Sequence, residues 1–167
     1  MSIADYIVNS FSVTVDFSKK REQTLRELEQ VGNCRCNGWL SQDPPAWGDT
    51  ERSMGSETFA LDLFHFTAGL SARSIFYYLA SDFLRGYSAA RYYHLFELAL
   101  TRPDFKPEEM VVAVGSVWLG PGGEFAVPYL QMQRGDVRSE DLKRTLWLRS
   151  LFYPFHESCQ FLLVRPQ

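Results

Sequence analysis

Two apolar runs are parted by a glycine-rich tetrapeptide: MVVAVGSVWL (110–119), Gly120-Pro121-Gly122-Gly123 and EFAVPYLQM (124–132). Runs rich in Val, Trp, Tyr and Phe favour extended backbone, and glycine supplies the reversal between them. The pattern predicts a β-hairpin, and with it an antiparallel pairing. Proline has no N–H to give to a ladder, so Pro128 predicts that the return strand lies at a sheet edge or is bulged there.

Other segments carry their own periods. FSVTVDF (11–17) alternates, with Phe11, Val13, Val15 and Phe17 on one face, which predicts a half-buried strand. Ser18 offers an N-cap oxygen to a helix running to about Val31, where Gly32-Asn33 supplies a stop. TFALDLFHFT (58–67) has little polarity on either face, which predicts a central strand. Helical spacing follows at Ile75, Phe76, Leu79 and Phe83, and after Gly86 at Tyr92, Leu95, Phe96 and Ala99, with Ser88 as cap and Arg102-Pro103 as stop. Residues 139–152 begin like a helix and end like a strand, so the spacing leaves both readings open. CQFLLVR (159–165) predicts a last strand. No internal repeat or composition break divides the chain. The expected fold is α+β, one domain over residues 1–167, with a mainly antiparallel sheet and about three to four helices packed on it. Residues 41–57, dominated by Pro, Gly, Ser and charge, predict a long polar loop holding Trp47.

Bulk properties narrow the function. A chain of 167 residues with 22% charged residues and a net charge of −3 has the size and balance of one folded domain. A nucleic-acid binder carries a basic stripe, whereas the basic run here is the short Lys19-Lys20-Arg21, read as a solvated first helical turn. No apolar run approaches the ~20 residues that cross a bilayer, and the N-terminus lacks the pattern of a signal peptide. The three cysteines, Cys34, Cys36 and Cys159, cannot all pair within one chain, and reduced thiols in a cytoplasm are expected. The Cys34-Arg35-Cys36 pair reads as two thiols packed after a helix. Zinc needs four ligands, and no second short-spaced pair accompanies this one, so neither a metal nor another cofactor is expected. Asp62, an acid inside an apolar strand, reads as a functional carboxylate with a raised pKa or, the reading preferred, as one that pairs with an arginine or lies at a sheet rim.

Two histidines stand two residues before a hydroxyl: His65 before Thr67 in LFHFT, and His156 before Ser158 in FHES. Side chains alternate along a strand, so His65 and Thr67 share a face. The pair of H-x-T/S motifs resembles the 2H phosphoesterase superfamily. The resemblance covers a few residues, and Glu157 stands where that pattern carries an apolar residue. It implies phosphodiester chemistry, with one histidine as base, the other as acid, and the hydroxyls on phosphate oxygens. The chain carries no G-x-G-x-x-G, P-loop, G-x-S-x-G or H-E-x-x-H motif.

The expectation from character is a small non-catalytic binding protein of the immunity or inhibitor type. It would neutralise one partner, such as a bacterial toxin or a defence enzyme. The acidic charge suits a basic partner, and the contact surface is expected at Trp47, Asp43, Asp49 and Glu51. An accessory subunit that assembles through the Pro128 strand is a further alternative.

Overall fold

The structure is a computed structural model, and it describes residues 6–30, 34–42, 45, 55–120, 122–134 and 141–167. Five longer strands frame the sheet. They are β1 (Ile7–Asp16), β3 (Ser56–His65), β7 (Phe125–Arg134), β8 (Leu142–Ser150) and β9 (Gln160–Val164). Four short ones complete the sheet: β2 (Cys34–Cys36), β4 (Ser88–Ala89), β5 (Val111–Val112) and β6 (Trp118–Leu119). The helices are α1 (Arg21–Gln30), α2 (Trp39–Gln42), α3 (Ala72–Ala80) and α4 (Tyr92–Thr101), with a 3-10 turn at Asp82–Leu84.

The main sheet order is β1-β3-β9-β5-β7-β8-β2, with β4 beside β9 and β6 beside β7. Two pairings are parallel, β2 with β8 and β5 with β9; the rest are antiparallel. The sheet curls into a half-barrel, and α4 lies inside the curve, touching β1 near one end and β7 toward the other. The inner core joins Phe11, Val13 and Val15 of β1 to Leu95, Phe96 and Ala99 of α4, and to Trp118, Leu130 and Leu146. Side chains of this size contribute about 1.5–3 kcal/mol each when fully buried. The outer core sets Phe64, Val127, Phe155 and Phe161 against Ile75 of α3 and Leu84.

The expected α+β arrangement, a mainly antiparallel sheet with helices packed on it, is therefore corrected. Nine strands in one mixed, curled sheet dominate the described residues, at 40% strand to 25% helix. Strands of two or three residues are too short to show a period, so β2 and β4 left no trace in the spacing, while β5 and β6 were read as one continuous arm.

Local corrections have local causes. The serine at 18 caps no helix. Its N–H and hydroxyl both donate to Asp16 Oδ1, at 2.9 and 2.6 Å, closing a turn before α1 starts at Arg21. Ser88 lies in β4. The amide of Tyr92, at the start of α4, donates instead to Ser116 Oγ at 3.1 Å. The open segment at 139–152 resolves as β8 from Leu142. The hairpin forms, closed by Gly120 N to Glu124 O at 2.7 Å, but its first arm is broken between β5 and β6 at Gly115. A Cβ there would meet the carbonyl oxygens of Ala89 and Ala90 at 2.7 Å, an approach open only to glycine.

Pro128 is not at a sheet edge, because β7 is paired on both sides. Its register partner across β7·β8, Leu148, falls at a non-hydrogen-bonded position: Leu151 N bonds to Phe125 O, and antiparallel bonding alternates. The missing N–H therefore faces the gap where β5 has ended. There Ala113 N donates to the Pro128 carbonyl at 3.0 Å and needs nothing in return. An assembly through a Pro128 edge strand has no edge to use.

Candidate partner-binding surface

The outer face of the hairpin exposes large apolar side chains at Leu119 and Phe125. Leu119 and Phe125 are register partners across β6·β7, so their side chains share that face. Leu151 lies beside Phe125, its N–H donating to the Phe125 carbonyl at 2.7 Å, but it is half-buried against the outer core. The chain then turns through Phe152 and Tyr153, whose rings meet edge to face at 5.3 Å. Phe152 is 84% exposed and Tyr153 62%, so neither ring is spent on the core. Trp147, exposed on the same face, stands opposite Tyr129. Phe152 is held by its amide donating to Ser150 Oγ at 3.2 Å. The turn is anchored behind by Arg149, which donates to the Pro154 carbonyl at 2.8 Å and lies over the Phe155 ring. A rigid scaffold thus presents large rings to solvent, which is the composition of protein contact sites. A second set, Phe76 and Tyr77 of α3 with Phe83, is also exposed. The sequence held the signal for the first set in LFYPF (151–155), a run with no polar residue that follows a strand.

The contact residues expected from sequence, Trp47, Asp43, Asp49 and Glu51, lie outside the described residues. The ends of the expected loop are placed: residues 41–42 belong to α2, and 56–57 to β3.

The two H-x-T/S motifs meet. β3 and β9 pair with His65 opposite Gln160, and Leu70 bridges Phe155 just beyond. His65 Nε2 lies 2.9 Å from the carbonyl of Glu157; a carbonyl only accepts, so this nitrogen carries the proton. His156 Nδ1 accepts from the Ser158 amide at 3.2 Å and lies 3.1 Å from Ser158 Oγ. The four residues therefore share one end of the sheet. However, one imidazole nitrogen of each is held by backbone. Thr67, His156 and Glu157 are exposed.

Asp62 is fully buried and pairs with an arginine, as expected. Arg165 Nε donates to its Oδ2 at 2.8 Å, Ser10 Oγ to its Oδ1 at 2.6 Å, and Tyr87 OH also donates. Burial pushes the carboxyl up, but Arg165, Ser10 and Tyr87 together outweigh it and hold it below the usual carboxylate value. This network ties the C-terminal strand to β1 and is structural.

The cysteines carry free thiols. Cys34 and Cys36 lie on β2, in parallel pairing with β8 rather than merely following a helix. A hydrogen bond from Cys36 draws the Cys34 thiol down despite its burial, helped by Arg144, and the same bond pushes Cys36 up. Cys159 is pushed up by burial. Arg144 is itself buried, donating to the Ala99 and Arg102 carbonyls at 2.8 and 3.0 Å, where it closes the C-terminus of α4. Among the described residues no helix is long and apolar enough to cross a membrane.

No family model, curated protein or solved structure matches the chain.

Proposed function

We propose that this protein acts by binding one protein partner, in the manner of an immunity or inhibitor protein that blocks a toxin or defence enzyme in the cytoplasm. The observation that carries the reading is the set of exposed apolar side chains at Leu119 and Phe125 on the hairpin and at Phe152 and Tyr153 in the turn that follows β8. Leaving such rings in water loses the hydrophobic stabilisation that burial gives, and a partner surface recovers it. The net charge of −3 favours a basic partner, by speeding encounter rather than by adding much affinity. The loop around Trp47 remains a second proposed contact. The test is affinity capture with the wild-type chain and with Phe152→Ser/Tyr153→Ser. A partner held at one-to-one stoichiometry and lost by the variant supports the reading; equal capture by both removes this surface from it.

A second reading, phosphodiester hydrolysis, is favoured by the meeting of His65 with the His156–Ser158 turn. It needs an imidazole nitrogen released from the Glu157 carbonyl to reach a phosphate. Turnover of cyclic or linear phosphodiesters that His65→Ala abolishes would establish it; no turnover by the wild-type chain would dismiss it.

A further inference from the structure

Strand β2 sets two thiols side by side at an end of the sheet. Residues two apart on a strand share a face, so Cys34 and Cys36 both turn toward the inner side, where α1 lies. The Cys36 thiol reaches the Leu25 carbonyl of α1 at 3.9 Å and that of Cys34 at 4.0 Å. Both cysteines line one cleft of about 330 Å³, together with Glu29, Arg35 and Lys143. Cys34 is buried and Cys36 half-buried, so Cys36 is the thiol of the pair that solvent reaches. The third thiol, Cys159, sits in the outer core and takes no part.

A disulfide suits this pair poorly. Alternate Cα atoms of a strand lie about 6.6 Å apart, and side chains on one face project side by side, whereas a disulfide draws the Cβ atoms to about 3.8 Å. An atom placed between the sulfurs removes that conflict. Zinc is a poor candidate, since it takes four ligands, and among the described residues no group of three His, Cys, Asp or Glu is placed to hold a metal. A soft monovalent ion is satisfied by two thiolates, and thiolate donors select Cu(I). Two thiolates around Cu(I) carry one net negative charge. Arg144, the register partner of Cys34, and Arg35 and Lys143 at the cleft supply positive charge around it, three cations against the one acid there among the described residues, Glu29. We infer that Cys34 and Cys36 form a two-coordinate site for Cu(I), with one Sγ–Cu bond to each cysteine. Each thiol releases its proton to solvent as its bond forms, and no electron is transferred.

The test is anaerobic titration of the reduced, full-length chain with Cu(I) held by the chromophoric competitor bicinchoninate. One Cu(I) per chain should pass to the protein, and Cys159→Ser should bind equally. Even outer partners of a metal ligand are worth 10–100-fold in affinity, so Cys36→Ser, which loses a ligand, should bind at least about 100-fold more weakly. Because replacing the buried Cys34 can unfold the chain, a second readout uses the wild-type protein. Cu(I) should slow iodoacetamide alkylation of Cys36 at least about tenfold, because the metal-bound sulfur is blocked. Copper remaining with the competitor, equal binding by Cys36→Ser, or an unprotected Cys36 would each overturn the site.

Discussion

Replacing Asp62 by asparagine keeps the shape of the side chain and removes its charge. In the wild-type chain this buried carboxylate accepts from Arg165, Ser10 and Tyr87 at once. Hydrogen bonds to a charged group are worth about 1.5–3 kcal/mol each. The full sum is not lost, because Arg165 and Ser10 face water and are rehydrated when the acceptor weakens. Tyr87 is more enclosed, and an asparagine amide turns one pair of donors against the arginine. The expected cost is about 3 kcal/mol, roughly one to two charge-assisted bonds. The charge also sets a pH signature. The folded carboxyl lies below its unfolded value of 3.8, so its stabilisation is fully present well above pH 4 and is lost as pH falls through the folded value. Urea unfolding of both chains at pH 7 and pH 3 reads this directly. The gap between wild type and Asp62→Asn should be near 3 kcal/mol at pH 7 and should narrow at pH 3, with m unchanged. A gap below about 1 kcal/mol at pH 7, or one independent of pH, would refute the network as a charged clamp.

Other perturbations separate core from surface. Gly115→Ala places a Cβ against two carbonyl oxygens at 2.7 Å and should cost about 2–4 kcal/mol by thermal unfolding, because backbone, not a mobile side chain, must yield. Trp118→Ala empties the inner core beside Tyr92 and should cost about 3–5 kcal/mol in urea unfolding. Phe152→Ser with Tyr153→Ser should leave stability within about 0.5 kcal/mol per residue, since both rings stand in solvent.

At two strands the reading of the sequence survived. The alternation of Phe11, Val13 and Val15 put those three side chains in the core, although the strand stops at Asp16, where the carboxylate captures Ser18 and turns the chain. The weak polarity of 58–67 marked a strand paired on both sides. The arginine partner of Asp62 was anticipated as a type but not as Arg165, which lies 103 positions away. What no local pattern holds is the pairing of distant short segments, such as Cys34–Cys36 with Arg144–Leu146, and the curl that brings α4 inside the sheet. The exposed rings were hidden for a related reason. An aromatic residue reads as core by default, and only the fold shows that Phe152 and Tyr153 turn away from it.

The most direct measurement is the affinity of the purified wild-type chain for its captured partner, set beside that of the Phe125→Ser/Phe152→Ser/Tyr153→Ser chain, by calorimetry. Rings at the centre of an interface cost about 2 kcal/mol or more each when removed, so a loss of at least about 1,000-fold is expected in a chain that remains folded. An affinity unchanged within about threefold would contradict the outer face of the hairpin as the binding surface.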